Sequence, residues 1–89
     1  MTVIRIVEDE HGFLAIAKNY KAAIHYLIDH YWLDDNSEIW DENTHNWVNI
    51  KEVLGENWKD KVYQLSLDEF FNYFDGQFYL YEDNVYECE

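Results

Sequence analysis

The chain has 89 residues, which is enough for one domain but too few for two hydrophobic cores. Its 19 acidic residues against 6 lysines and arginines give a net charge of −13, which excludes direct nucleic-acid binding because such domains carry clustered cations. Aromatic residues make up 19% of the chain, so the acidity is not that of a disordered segment.

The first elements in chain order are two strands and a helix. Val3 to Val7 and Phe13 to Ala17 are short apolar or β-branched runs, and Gly12 between them can take a left-handed turn conformation, which predicts a β-hairpin. Asn19 is placed as the N-cap of a helix ending near Trp32 or Leu33. The apolar stripe of that helix consists of Tyr20, Ala23, Ile24, Leu27, Ile28 and Tyr31.

The middle of the chain has weaker periodicity. Ile39 with Trp40 and Trp47 with Val48 predict a short pair of strands around the turn-forming residues 43–46. Asn49 and Glu52 have capping-box spacing, which marks a helix start. Segment 50–65 is open to two interpretations, because Gly55 either ends a short first helix or lies inside a longer one.

The last third predicts a helix followed by a strand. Ser66 and Glu69 repeat the capping-box spacing, and Gly76 is a natural helix stop. The apolar face of this helix is made of Leu67, Phe70, Phe71 and Phe74. Residues 77–82 alternate as a strand does, and the strand is predicted to continue at Val85 and Tyr86 after a turn at Asp83 and Asn84.

This element order predicts one α+β domain spanning residues 1–89. A small antiparallel sheet, formed by the N-terminal hairpin and the C-terminal strand, is expected to be covered by two to three helices.

The negative charge is concentrated in one part of the chain. Residues 1–33 contain four acids and three bases, whereas residues 34–89 contain fifteen acids and three lysines. Two acidic groups result, the first made of Asp34, Asp35, Glu38, Asp41 and Glu42 and the second of Glu52, Glu56 and Asp60. If residues 50–64 are helical, the second group forms a stripe of one sign, which resembles the charge of a phosphate backbone. A solvated acidic face without a binding function is the alternative interpretation.

Four tryptophans lie in or beside the acidic region. Trp40, between Glu38 and Asp41, is predicted to be exposed and to serve as an apolar anchor for a partner. Tyr79 and Tyr81, on one face of the last strand, offer a further possibility, a platform for stacking sugars.

Catalytic and metal chemistry is not indicated by the sequence. His25 and His30 are five positions apart, so their side chains diverge on a helix. Residues 34–38 resemble a calcium-binding loop in composition, but Ile39 stands where that loop needs Gly. Neither a metal nor another cofactor is therefore expected. No serine or cysteine is activated as a nucleophile, so the chain is not expected to be an enzyme.

The single Cys88 and the lack of a long apolar run predict a protein of the reducing cytoplasm without a membrane role.

In size, lone-domain architecture and the acid-rich stretches 34–42 and 52–60, the chain resembles the small acidic inhibitors encoded by phages and prophages, including anti-CRISPR proteins and other DNA mimics. The resemblance implies a non-enzymatic inhibitor that competes for the arginines and lysines of a CRISPR effector nuclease or a similar basic nucleic-acid-binding protein. An immunity protein or antitoxin against a nuclease is an alternative, because it would bind its basic target through the same electrostatic attraction. A self-associating structural phage protein, such as a homodimer, and a carbohydrate-binding module are the remaining alternatives.

Overall fold

The computed structural model describes residues 1–85, which form five strands and four helices. In chain order these are β1 (Thr2–Glu8), β2 (Gly12–Ala17), α1 (Tyr20–Asp29), β3 (Glu38–Asp41), β4 (Asn46–Asn49), α2 (Ile50–Leu54), α3 (Trp58–Tyr63), α4 (Leu67–Phe74) and β5 (Phe78–Asn84). The predicted α+β class is confirmed.

β1 is the central strand of a three-stranded antiparallel sheet with the order β2-β1-β5. Gly12, at φ +75°, takes the left-handed conformation that the turn into β2 requires. Ile4 and Ile6 point to the inner face of the sheet, where they join the buried residues of α1 and α4 in one core. The sheet therefore has one face covered by helices and one face directed away from the core.

β5 runs without interruption to Asn84, so the predicted turn at Asp83 and Asn84 is wrong. Although both residue types favour turns, each is held by a strand partner: Asp83 Oδ2 accepts from Arg5 Nε at 2.9 Å, and Asn84 Oδ1 accepts from the Thr2 hydroxyl at 3.2 Å. Long-range contacts thus outweigh the local preference. Tyr86, where the strand is predicted to continue, and the single cysteine Cys88 lie outside the described residues.

α1 begins as predicted and ends early. Asn19 accepts from the backbone N–H of Ala22 at 2.8 Å. The helix ends at Asp29 and not near Trp32, because Tyr31 adopts a positive φ of 61° and turns the chain back onto the helix. The backbone N–H of Leu33 then bonds to the carbonyl of Leu27 at 3.0 Å, and this closes the helix end.

Segment 50–64 contains two short helices. Gly55 ends α2 at φ +88° and ψ −175°, and α3 starts three residues later at Trp58. The helical layer therefore has four helices. α4 follows with the predicted capping box, in which Ser66 and Glu69 bond each other's backbone N–H groups.

β3 and β4 form the predicted separate hairpin, with Trp40 directly opposite Trp47. The buried Ile39 packs the hairpin into the core. Gln77 Nε2 donates to the carbonyl of Glu38 at 2.7 Å, which ties β3 to the loop between α4 and β5. These contacts place β3 beside α4.

None of the helices within residues 1–85 is both long and apolar enough to cross a membrane.

Candidate protein-binding surface

The surface between the β3–β4 hairpin and α4 contains two adjoining depressions, here called the acidic groove. Their volumes are about 230 and 320 Å³, and both are lined by Trp40, Glu42 and Asn72. The first is also lined by Asp41, Asn43, Val53, Glu69 and Tyr73, and the second by Trp47, Phe71 and Asp75. The groove is thus a concave surface that combines indole rings with side-chain oxygens.

Four carboxylates line the acidic groove, and in the described part of the chain no lysine or arginine does. Glu69 Oε1 accepts from the backbone N–H of Ser66 at 3.1 Å, and this bond is the main reason why the pKa of Glu69 is lowered. Asp41 accepts from the backbone N–H of Asn43 and from the Thr44 hydroxyl. The remaining two carboxylates are the exposed Glu42 and Asp75. The groove therefore concentrates negative charge that its own residues do not neutralise.

The aromatic part of the groove differs from the prediction. Trp40 is half-buried, whereas Trp47 is 42% exposed, so the expectation that Trp40 would be the exposed tryptophan is wrong. The two rings meet edge to face with their centroids 5.6 Å apart. β3 is the strand beside α4, so Trp40 lies nearer to α4 than Trp47, which is one strand further out.

A second acidic region surrounds Lys51. Asp35 Oδ1 accepts from the indole Nε1 of Trp58 at 2.8 Å, and its Oδ2 lies 3.7 Å from Lys51 Nζ. The hydrogen bond from Trp58, supported by the charges of Lys51 and Lys59, lowers the pKa of Asp35. Glu56 lies 3.8 Å from the same Lys51. Asp35 therefore holds the buried indole of Trp58 in place, and part of the local charge is neutralised within the molecule.

The predicted stripe on one helix does not form. Glu52 is on α2, Glu56 is in the link between helices, and Asp60 is on α3, because Gly55 separates the two helices. Asp60 lies near Tyr63. Burial raises the pKa of the Tyr63 phenol, and the negative charges of Asp29 and Asp60 raise it further. The eight predicted carboxylates are therefore divided among several parts of the surface.

The acidic groove contains three of the residues predicted from the sequence, namely Trp40, Asp41 and Glu42. It also contains Glu69 and Asp75, which sequence reasoning missed as site residues. The sequence predicts Glu69 only as part of a helix cap, and no local pattern shows that α4 packs beside the β3–β4 hairpin. Of the other predicted site residues, Asp34 accepts from the backbone N–H of Asn36 in its own loop, and Glu38 is exposed on β3.

Glu8, Glu10 and His11 also come together, with possible ligand atoms within 4.8 Å of one another. Glu8 Oε2 accepts from the backbone N–H groups of Glu10 and His11 and lies 2.8 Å from His11 Nδ1. Burial acts to raise the pKa of Glu8, but the bonds from His11 and Glu10 lower it on balance. These hydrogen bonds connect residues of the tight turn between β1 and β2, and they are what brings the three side chains together.

Comparison with known proteins adds no relative from which a function could be transferred. No family model, curated protein or solved structure matches the chain. The acidic groove itself is therefore the basis for proposing a function.

Proposed function

We propose that the protein is a non-enzymatic inhibitor that binds the basic nucleic-acid-binding surface of another protein, such as a CRISPR effector nuclease, through the acidic groove. The observation that supports this proposal is the combination of four carboxylates and two tryptophans in one concave surface lined by no cation within residues 1–85. An immunity protein or antitoxin against a nuclease would use the same surface.

The chemistry of the groove suits arginine and lysine side chains. A guanidinium can bond a carboxylate through two N–H groups and can stack on an indole face. Trp40 and Trp47 lie beside Glu42 and Asp75 in the second depression, so both interactions are available to one incoming side chain. A nucleic-acid-binding surface presents such side chains to phosphates, and an occupied guanidinium is no longer available to the nucleic acid.

The net charge contributes at longer range. A chain of charge −13 attracts a basic partner before contact, which accelerates association at low ionic strength. The Debye length shrinks from about 10 Å at 0.1 M salt to about 3 Å at 1 M. Affinity for the partner is therefore expected to fall steeply as salt is added.

The test starts with affinity capture from bacterial lysate at low salt, followed by purification of the captured protein. Its binding to a fluorescently labelled DNA or RNA duplex is then measured by anisotropy in the presence of increasing amounts of the inhibitor. We expect stoichiometric displacement of the duplex and weaker displacement at high salt. A captured protein that binds the duplex and this chain simultaneously, or an affinity that salt does not change, would refute the proposal.

A matched pair of variants tests whether the acidic groove is the contact. Glu42 and Glu10 are both exposed glutamates in turns between strands, and only Glu42 lines the groove. Glu42→Gln and Glu10→Gln remove the same charge, so both reduce long-range attraction equally. We expect displacement to weaken several-fold more with Glu42→Gln than with Glu10→Gln. Equal effects of the two substitutions would show that the groove is not the contact surface.

A further inference from the structure

The outer face of the sheet, on the side away from the helices, carries most of the exposed apolar side chains. The seven large apolar residues exposed within residues 1–85 include Met1, Phe13, Ile16, Tyr81 and Val85, and these five belong to the outer face. Phe13 and Ile16 are the most open of those on β2, at 59% and 60% exposure. Five of seven on one side is a concentration that scattered surface residues do not show.

Strand register places these side chains on one face. Directly opposite residues of an antiparallel pair point to the same side, and Arg5 lies opposite both Ile16 and Tyr81. Val7 likewise lies opposite Phe13 and Tyr79. The β1–β2 register shifts by one residue between Ile6 and Val7, which is why Phe13 and Ile16 share a face although they are three positions apart. The outer face is completed by Val3 and Asp83, which lie opposite each other, and by Met1 and Val85, which exchange backbone hydrogen bonds.

The side chains of the outer face carry no net charge, and the Met1 ammonium at its edge donates to the Val85 carbonyl at 3.0 Å. Arg5 Nε donates to Asp83 Oδ2 at 2.9 Å, and the Arg5 guanidinium carbon lies 4.7 Å from the centre of the Tyr81 ring. This hydrogen bond is the main reason why the pKa of Arg5 is raised. Since the one cationic side chain and the one carboxylate of this face are paired with each other, the face lacks the excess negative charge of the acidic groove.

We propose that the outer face binds a second copy of this chain, so that two sheets pack face to face in a symmetric dimer. A face whose one carboxylate is already paired has nothing to attract the basic partner of the acidic groove. It is complementary to itself because its side chains are apolar or already paired. None of the residues of the outer face lines the acidic groove. Two copies can therefore join without bringing their grooves into the interface.

The size of the face determines how strong the dimer is. β1 and β5 have seven residues each and β2 has six; with strands about 4.8 Å apart and about 3.4 Å per residue, the face covers about 330 Å². Two such faces amount to about 650 Å² before the protruding rings are counted, which falls in the range of weak and transient complexes and below that of obligate dimers. The dimer is thus reversible, and it forms at high protein concentration.

Ionic strength separates this proposal from the proposed function. Two copies of charge −13 repel each other, so added salt screens the repulsion and strengthens the dimer. Binding of a basic partner to the acidic groove has the opposite dependence and weakens with salt. Failure of one proposal therefore leaves the other intact.

The test is sedimentation equilibrium of the full chain from micromolar to millimolar concentration, at low and at high salt. We expect a monomer–dimer equilibrium that shifts toward dimer at high salt. Ile16→Thr keeps a β-branched residue in the strand but removes apolar area, and it should weaken the dimer roughly tenfold or more because a symmetric interface loses the side chain twice. A monomer under every condition overturns the proposal.

Trp47→Thr is the matched control. Trp47 is also a large exposed apolar residue, but it belongs to the acidic groove. Its substitution should leave the dimer dissociation constant unchanged while it weakens binding to the captured partner, and Ile16→Thr should do the reverse. Circular dichroism establishes that both variants are folded. A dimer that Trp47→Thr disrupts and Ile16→Thr does not would place self-association at the groove and overturn the proposal.

Discussion

The conformation of Gly55 predicts the effect of replacing it by alanine. At φ +88° and ψ −175°, Gly55 occupies a backbone region that is nearly confined to glycine. An added Cβ would meet only Lys61 Nζ, at 3.8 Å, so alanine has room and the cost lies in the backbone. That cost is about 1–3 kcal/mol, and the reduced flexibility of the unfolded chain offsets about 0.4–1 kcal/mol of it. Gly55→Ala is therefore expected to lower the free energy of unfolding by about 1–2 kcal/mol.

Thermal and urea unfolding followed by circular dichroism measure this effect. For a domain of this size, each 1 kcal/mol corresponds to a change in Tm of about 4–8 °C. Asn57→Ala in the same link is the control, since Asn57 has a negative φ and its side chain makes no capping bond. A Gly55→Ala variant as stable as the wild type would refute the strain, and with it the reason why α2 and α3 are separate helices.

Two further substitutions test single hydrogen bonds. Asn19→Ala should destabilise the protein by about 0.5–2 kcal/mol because it removes the side-chain acceptor that caps α1. Asn19→Asp keeps an acceptor and should keep most of the stability. Equal losses of stability for the two variants in urea titrations would contradict the capping role of Asn19. Asp35→Ala should destabilise the fold more than Asp35→Asn, which keeps an acceptor for the buried Trp58 indole. Because the bond from Trp58 lowers the pKa of Asp35, the stability from this carboxylate is present above the ordinary aspartate pKa of about 3.9 and is lost as the pH falls below it. Asp35→Asn should therefore lose less stability than the wild type as the pH is lowered. A free energy of unfolding with the same pH dependence in both proteins would contradict this role of Asp35.

Local patterns predicted most of the fold. The apolar spacing and capping residues of α1 and α4 are properties of short segments, and so are the alternating strands. Errors arose where distant contacts decide the outcome. Asp83 and Asn84 form strand because Arg5 and Thr2 bond them across the sheet, and the end of α1 depends on burial of Leu33.

The candidate site was less accessible to sequence reasoning. Clusters of carboxylates can be counted along the chain, but Glu69 and Asp75 join Glu42 only because α4 packs beside β3. The exposure of Trp40 and Trp47 likewise depends on which strand lies nearer to α4. The structural role of Asp35 is hidden from the sequence for the same reason, because the indole that donates to its carboxylate belongs to Trp58, 23 positions away.

The pairing of β1 with β5 also constrains the order in which the polypeptide acquires its structure. Thr2 and Asn84 are partners although 82 positions separate them. During synthesis the hairpin of β1 and β2 can form early, but the other edge of β1 has no strand partner until the end of β5 has emerged from the ribosome. Until then the Val- and Ile-rich β1 exposes backbone groups on which other chains can assemble. Aggregation of truncated translation products is therefore the characteristic failure expected of this topology.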